Sequence, residues 1–347
     1  MKDITDKELF DRFVATQKAL VRLRTGSSYR RHVWEHDLHA LGDPFVRDAS
    51  VLKSSKSWRR MGGKNQVASA SFLPHIRNRM THVGEVVACG IRIADHLGLN
   101  VHLTHAIAEG HDIGHVPFGH QGEHYLQTKI GKGFCHERMG VILAQHIERL
   151  GNGLNLTHAV LDGMFRHSGK NAVDTMTPEA WVVRYADKIA YIFADYNDFW
   201  RMNWKCAPEL NDLMSWFGHN QRSRCMRTIM ALCEESADAG KVVFEKSEAA
   251  IAFNNLRTLM YHEYERVVEQ DVSSKLDPIY IILERSDQVP AWLGLSLLTD
   301  EEVYRINSEQ RIIDWRTLMN TGMGEIVMRM ERERLFAINP MNLDLSW

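Results

Sequence analysis

Apolar positions recur three and four residues apart along most of the chain, the spacing of a helix with one buried face. Residues 6 to 23 show it through Leu9, Phe10, Phe13, Val14, Leu20 and Val21. Residues 81 to 97 repeat it through Val83, Val86, Val87, Ile91, Ile93, Ala94 and Leu97. Gly98 is placed to end that helix, and Asn100 to cap the next, Val101 to about Gly110. Residues 140 to 150 and 178 to 200 also read as helices, the second with Pro178 near its start. Beyond 208 the pattern continues over roughly 222–236, 249–269, 299–308 and 318–335. One run departs from it: Pro278 to Leu283 reads as a short β-like segment. No repeat, low-complexity tract or Pro/Ser-rich linker interrupts the chain. The expectation is an all-α protein, one domain over residues 1–347, with a helical C-terminal region from about 208 to 347.

Composition narrows the class rather than the chemistry. The chain has 347 residues, 44% hydrophobic and 25% charged, enough to bury a large core. A formal net charge of -2 gives no whole-chain field for nucleic acid or an anionic membrane. No apolar run approaches the roughly 18 residues of a membrane span. The start, MKDITDKELFDRF, lacks an apolar signal core. The five cysteines are scattered and form no CxxC pair, so neither a disulfide framework nor a thiolate zinc site is expected. A cytoplasmic location without membrane contact is the expectation. A basic run, Arg22-Leu23-Arg24 with Arg30-Arg31-His32, reads first as a solvated face. Its functional alternative is contact with a regulatory nucleotide or single-stranded DNA.

Histidine changes the picture. Of eighteen, ten lie between His75 and His136. The densest stretch is His111-Asp112-Ile113-Gly114-His115-Val116-Pro117-Phe118-Gly119-His120-Gln121-Gly122-Glu123. Its glycines and proline argue against a helix interior and for a bend. A His-Asp pair leading into such a bend suggests a metal site with acid/base groups around it. His82, early in one helix, and Asp187, mid-helix much later, are the further residues able to converge on His111 and Asp112. Imidazole and carboxylate together suit divalent Mn, Fe, Zn, Co or Mg without selecting among them. A second His-Asp group, Glu35-His36-Asp37 flanked by His32 and His39, has no following Gly/Pro turn and reads as structural. His96, His102, His105, His124, His146 and His158 read as surface or capping groups. His75, Arg166-His167-Ser168, Arg257 and Tyr261 are weighted towards packing.

In order along the chain, several strings resemble the HD-domain deoxynucleoside triphosphate triphosphohydrolases, the dGTPase-like branch. Asp43-Pro44-Phe45-Val46-Arg47-Asp48 resembles S-P-F-x-R-D, and Trp58 to Val67 resembles F-R-R-L-x-x-K-T-Q-V. Arg77 to His82 resembles R-T-R-L-T-H, and His111 to Glu123 resembles HDLGHPPFGHAGE, with Val116 where the first Pro is usual. Phe134-Cys135-His136-Glu137 resembles F-x-H-[NE], and Ala186 to Tyr191 resembles A-D-[EK]-I-A-Y. The likeness runs from about 43 to 200 and fades after 208.

The resemblance implies an HD-domain helical bundle with additional C-terminal helices. It implies four metal ligands, His82, His111, Asp112 and Asp187. His120 would be the general acid at the 5'-oxygen, oriented by Glu123. His115 and His136 would contact the phosphates, and Arg79 and Lys188 would neutralise them. Gln66 and Asp195 would hold the sugar 3'-hydroxyl, and Tyr191 would pack where a ribose 2'-hydroxyl clashes. The activity implied is metal-dependent hydrolysis of deoxynucleoside triphosphates at the α-phosphorus, giving deoxynucleoside and tripolyphosphate, by a homo-oligomer. The spacing of Asp187, Tyr191 and Asp195 puts them on one helical face, as any amphipathic helix also would. The alternatives are an HD phosphohydrolase acting on nucleoside monophosphates or cyclic nucleotides, and a non-catalytic nucleotide- or nucleic-acid-binding regulator.

Overall fold

The computed structural model describes residues 6–32, 42–67, 75–267, 271–308, 314–320 and 322–341. The Glu35-His36-Asp37 group lies outside them. Among the described residues there is no strand, only two isolated bridges, Arg30 with Thr157 and Asn65 with Asn78.

The first helices are α1 (Asp6–Thr16), α2 (Pro44–Ser54) and α3 (Lys56–Arg59). Helix α4 (Arg79–Leu97) begins where the Asn78 side chain accepts from the Thr81 amide. It ends at Gly98, whose φ of 80° needs a residue without a Cβ. Helix α5 (Val101–Gly110) is capped by Asn100, which accepts from the amides of His102 and Leu103. Then come α6 (Gly119–Ile130), α7 (His136–Ile142), α8 (His158–Arg166) and α9 (Pro178–Arg201). After them lie α10 (Pro208–Phe217), α11 (Gln221–Ala239), α12 (Glu248–Val267) and α13 (Ser273–Ser286). The chain finishes through α14 (Ala291–Ser296), α15 (Asp300–Ser308) and three short turns, α16 (Trp315–Met319), α17 (Gly324–Val327) and α18 (Arg332–Phe336).

The β-like run is therefore helical. Leu276, Ile279, Tyr280 and Leu283 are its buried residues, a spacing of three, one and three. That burial period is helical, and it overrides the β-branched side chains and the backbone bond lost at Pro278. The single helix expected over 318–335 is instead broken into turns.

Two apolar cores form. One gathers α2, α4, α5, α8 and α9 with α10 to α12, through residues such as Phe45, Leu103, Ile107, Ile189, Phe193 and Phe253. Helix α5 is at its centre, against α2, α4, α8 and α9. The second joins α6 and α7 to α13–α18 through Leu126, Phe134, Leu143, Leu276, Leu283 and Leu293. The segment after α5 passes from one to the other: Ile113 is in the first core, Val116 and Phe118 in the second. The basic N-terminal run is partly spent on this packing. Arg30 pairs with buried Asp48 and donates to the carbonyls of Asn155 and Pro44, so it is no free cation.

Candidate metal centre and its cavity

Three mutually packed helices bring the metal set together. His82 comes from the first turn of α4, His111 and Asp112 follow the end of α5, and Asp187 lies mid-α9. His82 Nε2 lies 3.0 Å from Asp187 Oδ1 and 3.9 Å from Asp112 Oδ2. His111 Nε2 lies 3.6 Å from Asp112 Oδ1 and 3.9 Å from Asp187 Oδ1. The other His111 nitrogen, Nδ1, is 2.7 Å from the Ala108 carbonyl and must donate to it. Nε2 is then a buried lone pair with no partner, facing two carboxylates. An unsatisfied buried acceptor between two anions is a poor arrangement for protein alone. It fits a divalent cation held by two imidazoles and two carboxylates. Burial works against the Asp112 carboxylate, yet His115, His111 and Arg79 hold its pKa well below the usual range. Burial likewise opposes Asp187, and the His82 bond together with the charges of His82 and His111 outweighs it.

The segment after Asp112 forms the next wall. His115 Nε2 is 3.1 Å from Asp112 Oδ1, and its ring stacks on His136 at 3.8 Å. Burial, then Arg79 and His136, push the His115 pKa well down. His136 Nδ1 lies 2.8 Å from Glu123 and 3.6 Å from Glu137. Burial alone would lower its pKa, but the two carboxylates raise it to about 9, so it is a buried cation. His120 opens onto the cavity between them, its pKa lowered by the surrounding protein and by His136. The expected bend ends at Gly119, where α6 begins, so His120 and Glu123 stand on a helix rather than a loop. Gly122 is tolerated there because a Cβ would overlap the Pro117 carbonyl. A Cβ at Gly114 would overlap the His136 carbonyl and the Gly140 nitrogen. At Gly119 it would come within 2.6 Å of the Arg79 guanidinium, which donates to Asp112 at 2.8 Å. Val116, which stands where Pro is usual, is buried in the second core.

At the far end, Asp195 accepts from Arg77 and, at 2.6 Å, from the Tyr264 hydroxyl. Burial raises the Asp195 pKa despite Arg77. Gln66 Oε1 is buried without a partner. Tyr191 and Lys188 lie between the metal set and Asp195. Burial, then Arg184 and Arg257, lower the Lys188 pKa to about 7. The expected site residues other than His111 all line one cavity of about 500 Å³; His111 is buried and does not reach its lining.

Residues 79–192 match the family model of the HD domain. Over that stretch the chain is similar to HD-domain proteins. The matched stretch includes all four residues of the metal set and the whole His111–Glu123 segment. The chain is 38% identical over 227 residues to a deoxyguanosinetriphosphate triphosphohydrolase-like protein of Clostridium tetani, covering 62% of this chain and 65% of that one. A protein of the same description from Clostridium perfringens (strain SM101) is 44% identical over 156 residues, 44% of this chain and 46% of the relative. One from Leptospira interrogans serovar copenhageni is 32% identical over 198 residues, 53% and 52% respectively. The chain thus spans from about half to about two thirds of the length of these curated relatives.

The stretch matched to the HD domain does not build the cavity alone. Tyr261, Tyr264 and Glu265 come from α12, and Asp300 from the start of α15. The helical periodicity after 208 carried no chemical signal for Tyr264, Glu265 or Asp300. His167 is a second omission. It was weighted towards packing, but it is buried, donates from Nδ1 to the Met164 carbonyl, and sits 4.0 Å from Asp112 Oδ1. Its place after α8 was readable; its direction was not. Arg257 does not reach the cavity lining, whereas Tyr261 does. His96 and His105 bond Thr16 and Glu109, and His158 stacks on Tyr29, all structural as expected.

Proposed function

We propose that this chain hydrolyses deoxynucleoside triphosphates at the α-phosphorus, releasing deoxynucleoside and tripolyphosphate. One observation carries the reading: the His/Asp metal set and the Gln66–Tyr191–Asp195 end lie in a single cavity, with cationic groups between them. The similar proteins are described as deoxyguanosinetriphosphate triphosphohydrolase-like, in agreement with it. His82, His111, Asp112 and Asp187 would hold a divalent ion, which supplies charge neutralisation and water activation when bound. A nucleoside triphosphate brings about four negative charges, more than a divalent ion beside two carboxylates offsets. Arg79, Lys188 and the imidazolium of His136 offset that excess, and His115 contacts the phosphates as a neutral imidazole. Asp195 and Gln66 accept and orient the 3'-hydroxyl. Tyr191 packs beneath the sugar and excludes a 2'-hydroxyl. As water attacks phosphorus, the P–O5' bond breaks and the protonated form of His120 delivers its proton to the departing 5'-oxygen; Glu123, expected to orient His120, is instead bonded to the neighbouring His136. Such an acid typically contributes about 10²–10⁴-fold. The chain is further taken to work as a homo-oligomer in the cytoplasm.

The test is product identity. Purified protein is incubated with Mn or Mg and each dNTP, and products are separated. Deoxynucleoside plus tripolyphosphate is expected. Monophosphate plus pyrophosphate, or orthophosphate alone, would sink the cleavage position. Turnover of nucleoside monophosphates or cyclic nucleotides in place of dNTPs would favour the rival phosphohydrolase reading.

A further inference from the structure

Asp300 lies more than a hundred residues beyond the metal set, in the part of the chain where no site residue was expected. It is 2% exposed and lines the cavity. Burying a carboxylate costs free energy, and burial indeed raises the Asp300 pKa. Helix capping does not explain it. The start of α15 is closed by Thr299 and Glu302: the Thr299 hydroxyl accepts from the Glu302 amide, and Glu302 accepts from the Thr299 amide at 2.7 Å. Asp300 is left over from that cap, and both its oxygens leave the helix. Oδ1 accepts from the Phe118 amide at 2.9 Å. Oδ2 accepts from the Asn65 amide at 3.1 Å.

Those two amides belong to two different segments that line the cavity. Phe118 is the residue before α6, held at φ 61°, a left-handed conformation that a bulky side chain adopts only when its surroundings impose it. One helical turn further on are His120 and Glu123. Asn65 pairs with Asn78 and precedes Gln66, whose amide donates to the Arg77 carbonyl. Buried Lys64 and Arg60 complete the clamp from the same side, both donating to the His115 carbonyl, with Arg60 also 2.8 Å from that of Ile113.

We infer that Asp300 is a positioning residue that sets the distance between the leaving-group acid on α6 and the sugar-holding end at Gln66. It touches neither reacting atom. The assignment of His120 as the acid rests on the proposed function; the anchoring of the two amides does not.

The experiment uses the full chain with Asp300→Ala, Asp300→Asn and, as a control from the same turn, exposed Glu301→Ala. The first readout is amide hydrogen exchange at Phe118 and Asn65. Faster exchange at both is expected in Asp300→Ala and not in Glu301→Ala; unchanged exchange overturns the anchor, whatever the activity does. The second readout compares a dNTP with a p-nitrophenyl ester of a nucleotide, whose leaving group needs no acid. Asp300→Ala is expected to lose on the order of 10²-fold in kcat on the dNTP, the scale of a misplaced catalytic group. The p-nitrophenyl ester is expected to keep most of its rate, with bound metal unchanged. Asp300→Asn keeps one acceptor and is expected to recover part of the loss. An equal loss on both esters, or a parallel loss of metal, overturns the positioning role. If Asp300→Ala does not fold, the same two readouts on Asp300→Asn decide. A wild-type chain inactive on every dNTP would sink the proposed function alone, since the exchange readout stands without it.

Discussion

His111 is the residue whose surroundings demand most. Its Nδ1 is committed to the Ala108 carbonyl, and its Nε2 is a buried acceptor without a donor. Replacing it with Ala removes one ligand and leaves Asp112 and Asp187 closer to bare mutual repulsion. The expected outcome is loss of stoichiometric bound metal after dialysis, measured by elemental analysis, together with loss of dNTP turnover by at least about 10³-fold. Retained metal would remove His111 from the set. His136 makes a pH prediction. Its pKa is raised to about 9, so its ionisation stabilises the fold fully below about 6.5, the unfolded value. That contribution is lost as pH rises through about 9. Glu137 works at the other end. Its burial is outweighed by His136 and His167, its pKa falls to about 2, and its contribution is present above about 4.5 and lost only in strong acid. Metal-free wild type is therefore expected to lose melting temperature between about pH 6.5 and 9, and His136→Gln to lose that slope. An unchanged slope in His136→Gln would assign it elsewhere.

At the scale of elements, the segment between α5 and α6 is built by close backbone approach. Gly114 has the His136 carbonyl and the Gly140 nitrogen where a side chain would begin. Gly114→Ala is expected to push α7 away, costing about 1–3 kcal/mol or more in chemical denaturation. It should also separate the His115 and His136 rings. A variant of wild-type stability would show that α7 can yield. Such features explain what the sequence disclosed and what it hid. Helix ends at Gly98 and Asn100 were legible because capping is local chemistry. His111 and Asp112 stood out because His-Asp before a Gly/Pro bend is a rare local composition, whereas His82 and Asp187 were singled out as ligands only by the family resemblance. Pro278 misled because β-branched content and proline are local signals, while the burial period of α13 depends on what packs against it. His167, Tyr264 and Asp300 were hidden for a related reason: each is an ordinary residue on or just after an ordinary helix, and only the packing of distant helices turns it towards the cavity.

At the scale of the molecule, the cavity is a seam between two cores. The metal set is supported by α4, α5 and α9 of the first core. The arm bearing His120 and Glu123 is supported by α6 and α7, which belong to the second and lean on α13–α18. The two halves of the site should therefore fail separately. Leu103 is fully buried in α5, and Leu283 is fully buried in α13, with its methyl groups against Gly294. Truncation of either to Ala should cost about 2–5 kcal/mol. Well below their melting temperatures, the two variants should differ in kind. Leu103→Ala loosens α5 under His111 and Asp112, so bound metal and turnover are expected to fall together. Leu283→Ala loosens the backing of α6, so metal is expected to stay while dNTP turnover falls, with faster amide exchange in α6. Metal stoichiometry after dialysis, measured beside turnover on both variants, decides the matter. Equal metal loss in both would mean that the two cores behave as one mechanical unit. The C-terminal helices would then serve the site only through global stability rather than through the arm they touch.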